Sequence, residues 1–273
     1  MHPSCNPLNF LSAAKRESTL LITDFDGTLY RGLFPARCRG ISNADLAVLL
    51  CLLHLDRPLR SVRLLRACRT LWRLDRRFSL AYQAGKLPLS RMESRLINYF
   101  ARHVLGASIP SRIAMAADLT AGLLYRDAFA VLKFLNGRSG DVLIISKAFD
   151  FVLQAAAERL ASEIVSRVRW RGVCLKANSS GQLDAGRSLL TADDKAASAR
   201  QFLQTNPGFV RSIVIGDTEE DIAVYEAVQS QLGVENVMTV SLQAKDKRIS
   251  AASMCDFSSW GAFGVFLKDI SRN

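Results

Sequence analysis

The stretch Leu21-Ile22-Thr23-Asp24-Phe25-Asp26-Gly27-Thr28-Leu29 decides the fold of this 273-residue chain. The apolar run 20–22 is too short for a helix and closes on Asp-Gly, so residues 19–25 read as a buried, parallel strand that stops at Asp26-Gly27. Two carboxylates then stand two residues apart at the carboxyl end of a buried strand, the place where open α/β sheets bind their ligands. Charge at that position is costly unless something binds it. A divalent cation offsets the repulsion, hard oxygen donors suit Mg²⁺, and Gly27 lets the chain turn so that backbone amides can face an anion.

Outward from this strand, short apolar runs at 142–145, 211–215 and 237–242 read as further strands, and helical spacing over 150–162, 192–204 and 219–232 supplies the crossovers. That alternation predicts an α/β fold with a Rossmann-like parallel sheet. Between the first and second strands, residues 41–136 show helical spacing and no convincing strand. The expected division is a core of residues 1–32 and 140–273 and an inserted all-helical cap of residues 33–139. Residues 168–183 break the alternation with a strand and a hairpin turning at Asn178-Ser179-Ser180-Gly181, and residues 1–18 read as an irregular lead-in.

A second stretch repeats the logic of the first. Val214-Ile215-Gly216-Asp217-Thr218-Glu219-Glu220-Asp221 is an apolar strand, a glycine, and acids on the first helical turn, with Asp217 and Asp221 on one helix face. Glu219 and Glu220 read as first-turn acids favoured by the helix dipole. Ser146 ends the strand 142–145, and Lys195 lies on the first turn of the helix before the second acidic strand. Taken alone, Ser146 also fits a helix cap and Lys195 a solvated helix lysine, with Lys147 as a competing phosphate cation.

Together these residues resemble the haloacid dehalogenase superfamily, whose four ordered motifs match Asp24-Phe25-Asp26-Gly27-Thr28-Leu29, Ser146, Lys195, and Gly216-Asp217 with Asp221. The fixed residues of D-x-D-G-T alone would arise by chance about 0.002 times in such a chain, so coincidence does not explain all four motifs. The helical insert and the hairpin near 173–183 resemble the phosphoserine-phosphatase-like branch.

The resemblance implies a Mg²⁺-dependent phosphatase acting on a small phosphorylated substrate. Asp24 would be the nucleophile that forms an aspartyl phosphate, and Asp26 the acid that protonates the leaving oxygen and then the base that activates water. Asp24, the Asp26 carbonyl and Asp217 would hold Mg²⁺, with Asp221 nearby. Gly27, Thr28, Ser146, Lys147 and Lys195 would complete the phosphate site. Because an aspartyl phosphate can pass to another acceptor, a phosphotransferase or mutase is the alternative within enzymes. Phosphoserine itself is disfavoured: the Glu that binds the substrate amine nine residues after the nucleophile is Leu33 here, and Lys147 replaces a glycine.

Composition sets the remaining bounds. Apolar residues make up 49% and charged residues 22%, enough for a real core and against disorder. Six scattered cysteines (Cys5, Cys38, Cys51, Cys68, Cys174 and Cys255) form no C-x-x-C pair, which points to reduced thiols and a cytoplasmic protein. His2, His54 and His103 lack ligand spacing, and no apolar run approaches a membrane span. The net charge of +11 is concentrated: residues 57–77 hold eight arginines and one acid, Asp75. On a helix, Leu64, Leu65, Cys68, Leu71 and Trp72 share one face and Arg63, Arg66, Arg69, Arg73 and Arg77 the other. That pattern fits a cap helix packed by its apolar face, and also an anionic membrane surface, a phospholipid-like substrate or a non-enzymatic anion-binding protein; no specific nucleic-acid motif accompanies it.

Overall fold

The computed structural model describes residues 7, 10–11, 18–33, 41–136, 140–164, 167–179, 182–185, 191–244 and 247–270. Most of the lead-in expected over 1–18 lies outside them, as do Ser180, Gly181, Cys5, Cys38, His2 and residues 34–40 and 137–139 at the expected cap boundaries.

Strand β1 (Thr19–Thr23) is followed by helices α1 (Ile41–Leu53), α2 (Pro58–Gln83), α3 (Leu89–Phe100), α4 (Pro110–Ala121) and α5 (Arg126–Asn136). Then come β2 (Asp141–Phe149), α6 (Asp150–Ile164), β3 (Arg167–Val173), the hairpin β4 (Lys176–Ala177) and β5 (Leu183–Asp184), and α7 (Ala192–Thr205). The chain continues through β6 (Arg211–Gly216), α8 (Glu220–Leu232), β7 (Val237–Leu242), α9 (Lys247–Ala252), β8 (Cys255–Phe257) and α10 (Trp260–Ile270). Six parallel strands form one sheet in the order β3-β2-β1-β6-β7-β8. It is the Rossmann-like α/β architecture that the alternation of short apolar runs and helices predicts.

Helices cover both faces, so β1, β6 and β7 carry apolar residues without alternation and are buried along their length. Two clusters result: Leu21, Ile144, Ile213 and Val240 face one layer, Leu20, Leu143, Val214 and Val237 the other. A leucine or isoleucine so placed contributes about 1.5–3 kcal/mol by leaving water. Helices α4 and α5 join the first layer through α6 and α10.

Register places the strand ends. Thr23 pairs with Ile144 on β2 and with Ile215 on β6, and the Asp24 amide donates to the Ile215 carbonyl at 3.1 Å. The residues just past these pairs, Asp24, Ser146 and Asp217, therefore lie together on the carboxyl side of the central strands, where the strand order runs in opposite directions from β1. The β2–β3 register breaks between Ile145 and Phe149, so Ser146 and Lys147 leave the regular ladder there.

One expectation needs correction. The apolar face of α2 is not packed as a whole: Leu64 is fully buried, but Leu65 and Trp72 are 55% and 60% exposed. Helix α2 has 26 residues against 13 in α1, and Leu65 and Trp72 face an open cleft. All eight arginines are exposed, among them the five expected on the opposite face. His54 is buried, with Nδ1 bonded to the Leu50 carbonyl and Nε2 accepting the Ile109 amide, a structural role consistent with its lack of ligand spacing. Cys51, Cys68 and Cys255 are free thiols. Among the described residues, no helix is long and apolar enough to cross a membrane.

Candidate active site

Asp24 sits one residue past the end of β1, with 7% of its surface exposed. Opposite it, Thr191 caps α7 in a reciprocal capping box with Asp194, which starts the helix so that Lys195 falls on its inward first turn. Lys195 is 3% exposed, and its Nζ donates to Asp24 Oδ1 and Asp221 Oδ1, both at 2.9 Å. The other oxygen of Asp221 accepts the amides of Asp217 and Thr218 and the Thr218 hydroxyl, each at 3.1 Å. That arrangement closes the turn after β6 around Asp221 and requires Gly216, because a Cβ there would lie 2.5 Å from the Asp221 Cβ.

Asp24, Asp217 and Asp221 are all buried, and each offers an oxygen within 4.8 Å of the others. One ammonium cannot neutralise three buried carboxylates. Burial, together with Asp221 and Asp217, accordingly pushes the Asp24 carboxyl from 3.8 up to about 8 against the pull of Lys195. Lys195 is held well above its ordinary value: burial alone would lower it, and Asp221 and Asp24 more than offset that. The oxygen donors and the charge excess fit a small divalent cation, which Asp24 and Asp217 could hold. Asp221, with both oxygens engaged, holds the turn and Lys195 in place.

The sign of the Asp24 shift sets a measurable slope. Between pH 3.8 and about 8 the folded chain retains a proton that the unfolded chain has released, so the metal-free protein should lose stability as pH rises through that window. Added Mg²⁺ should restore it most at the alkaline end. Thermal unfolding of chelator-treated protein from pH 5 to 8 checks both, and Asp24→Asn should flatten the slope; a wild-type slope that survives in the variant would place the proton elsewhere.

Gly27 turns the chain with φ +86°. Thr28 does not line the cleft: its hydroxyl donates to Asp217 Oδ1 at 3.3 Å, and its carbonyl accepts Trp260 Nε1 at 2.7 Å. The last helix, α10, thereby steadies the loop after β1, a role that an isolated tryptophan near the end of the chain does not announce. Ser146 is 1% exposed and lines the cleft beside Asp24 and Lys195.

Comparison with solved structures settles the architecture. Cytosolic 5'-nucleotidase IIIB bound to cytidine superimposes with a TM-score of 0.65 at 14% identity, over 97% of this chain and 89% of that one. A haloacid dehalogenase family hydrolase from Salmonella enterica serovar Typhi gives 0.60 at 13% identity, over 94% and 72%. The chain has the haloacid dehalogenase fold. A phosphoserine phosphohydrolase-like protein from Francisella tularensis gives 0.53 at 14% identity, over 92% and 99%. No family model and no curated protein sequence matches the chain.

On this haloacid dehalogenase fold the helices inserted between β1 and β2 add contacts that the motifs do not reveal. Asp26 Oδ1 accepts the Ser42 amide at 2.9 Å and Oδ2 the Ser42 hydroxyl at 3.0 Å, so the first turn of α1 orients that carboxylate. Tyr30 Oη and the Leu33 amide both donate to Asp45 Oδ2, at 2.6 and 2.7 Å, fastening α1 to the loop after β1. Lys147 lines the cleft, but its Nζ donates to Glu93 on α3 at 2.8 Å and to Glu220 on α8 at 2.6 Å. The position beside Asp24 belongs to Lys195, and Lys147 ties α3 to α8. Glu220 thus has a partner beyond the helix dipole, and Glu219 pairs with Arg248.

Proposed function

We propose that the protein is a cytoplasmic Mg²⁺-dependent phosphomonoesterase, with residues 1–32 and 140–273 as the core and 33–139 as the cap. The observation that carries this reading is Lys195 bridging Asp24 and Asp221 at 2.9 Å, beside Asp217, at the adjoining ends of β1 and β6. Turn acids and a solvated lysine would have no reason to be buried together there.

In this reading an Asp24 carboxylate oxygen attacks phosphorus as the bond from phosphorus to the leaving oxygen breaks. Asp26, held by Ser42, gives its proton to that oxygen, and then takes a proton from the water that cleaves the aspartyl phosphate. Ser146 and Lys195 bind the transferring phosphoryl oxygens, and Lys195 balances charge that would otherwise accumulate in a buried site. Asp24, the Asp26 carbonyl and Asp217 would hold Mg²⁺, and the bound ion would supply further positive charge at the phosphoryl site.

A panel of sugar, nucleotide, amino-acid and lipid phosphomonoesters assayed with and without Mg²⁺ tests the activity. Asp26→Asn should slow hydrolysis of an active ester about 10²- to 10⁴-fold, the ordinary contribution of an acid/base group. The loss should be smaller for esters of acidic alcohols, whose leaving oxygen needs less protonation. Equal losses for alkyl and nitrophenyl esters would refute the acid role.

A further inference from the structure

The cleft over Asp24 has a volume of about 810 Å³, and its two ends are chemically unlike. At one end stand Asp24, Asp26, Ser146 and Lys195. The walls also carry Val48 and Leu52 from α1 and Leu65, Leu71 and Trp72 from α2, with Phe100 of α3. Leu52, Leu65 and Trp72 are 55%, 55% and 60% exposed, a concentration of uncovered apolar surface that ordinary packing would remove. The cleft size is that of a small-molecule site, and such sites match their walls to the ligand.

Charge narrows the occupant. Among the described residues the cations lining the cleft are Lys147 and Lys195, and both are already paired with carboxylates. No arginine of α2 lines it, whereas Asp75, Glu93, Glu219 and Glu220 do. Acids thus outnumber cations among the described lining residues, and a leaving group carrying a second phosphate or a carboxylate would meet that negative excess. An uncharged apolar chain would instead cover Leu65 and Trp72 and release the water held against them.

We propose that the substrate is the phosphomonoester of an apolar alcohol, with its phosphate at Asp24 and its chain lying between α1, α2 and α3. This substrate class rests on the phosphatase reading above. Hydrolysis breaks the bond from phosphorus to the alkyl oxygen; that oxygen takes its proton from Asp26, the apolar alcohol leaves, and water supplies the new oxygen of inorganic phosphate.

The test is a series of ethyl, butyl, hexyl and octyl phosphates with the Mg²⁺-loaded enzyme, each below the concentration at which it aggregates. A fully buried methylene raises affinity up to about fourfold, so kcat/KM should rise about two- to fourfold per methylene. Binding of the matching alkylphosphonates, which have no ester bond to cleave, should show the same trend by calorimetry. Leu65→Glu and Trp72→Glu, at positions already more than half exposed, should bring the octyl-to-ethyl ratio toward one in both measurements. A flat series, with ethyl phosphate turned over in an Asp24-dependent manner, would overturn the apolar substrate and leave the phosphatase standing. Absence of turnover for every phosphomonoester would overturn both. An octyl preference untouched by the two glutamate variants would also overturn the proposed chain site. Phosphatidylcholine vesicles carrying a long-chain alkyl phosphate separate two sources of this chemistry: hydrolysis in the vesicle assigns a membrane lipid, and hydrolysis only of dispersed esters assigns a free amphiphile.

Discussion

Asp24→Asn is expected to lower Mg²⁺-dependent phosphomonoester turnover by at least about 10⁴-fold, the scale on which enzymes lose rate with their nucleophile. An amide oxygen cannot form the acyl phosphate, and the change also removes a charged donor from the group formed with Asp217 and Asp221. Stability should move the other way. In the metal-free protein at neutral pH, folding makes Asp24 take up a proton that the unfolded chain has released, which works against the fold; a neutral amide of the same shape removes that cost while keeping an acceptor for Lys195. The expected variant is therefore inactive yet as stable as the metal-free wild type at neutral pH, or more so. Purified, folded Asp24→Asn with near wild-type rates would remove Asp24 as nucleophile.

Lys195→Met should be costly in both respects. The side chain is 3% exposed, and removing its ammonium leaves Asp24 and Asp221 facing each other without the charge that separates them. Breaking a buried ion pair from one side costs about 3–5 kcal/mol. Turnover should fall about 10²- to 10³-fold or more, as when a preorganised donor to the developing phosphoryl charge is lost. Adding Asp221→Asn should recover part of the stability, by removing one of the stranded charges, but none of the activity. Urea unfolding of the two variants beside their turnover separates the roles; a single variant that keeps wild-type stability would mean that Lys195 does not hold the carboxylates together.

The parallel core was legible because its strands are buried on both faces and so write themselves as short unbroken apolar runs. Residues 237–242 were expected as a strand and form β7 over the same span. The edge strand Cys255–Phe257 escaped notice because three residues, two half-buried and one exposed, carry no such pattern. The sequence also kept Asp24, Ser146, Lys195 and Asp217 in the order that the sheet needs. Asp24, Ser146 and Asp217 follow from where each apolar run stops, and Lys195 from the helix start that precedes β6.

The contacts made by the helices between β1 and β2 could not be read in the same way. Ser42 is one serine among many until α1 brings its amide and hydroxyl to Asp26. Lys147, next to Ser146 in sequence, had the chemistry of a phosphate cation; its partners Glu93 and Glu220 come from 54 and 73 residues away, and only their approach makes it a tie between α3 and α8. Leu65 and Trp72 satisfied the helical period of a packed face as fully as Leu64 did. Periodicity identifies which side of a helix is apolar, but whether protein, ligand or water meets that side depends on elements distant in the chain. By itself, then, the sequence determined the strands, their buried centre and the acids at their ends, because these rest on local patterning. The pairing of charges, the orientation of Asp26 and the open apolar cleft were decided by tertiary structure, because each depends on the approach of groups that no local pattern connects.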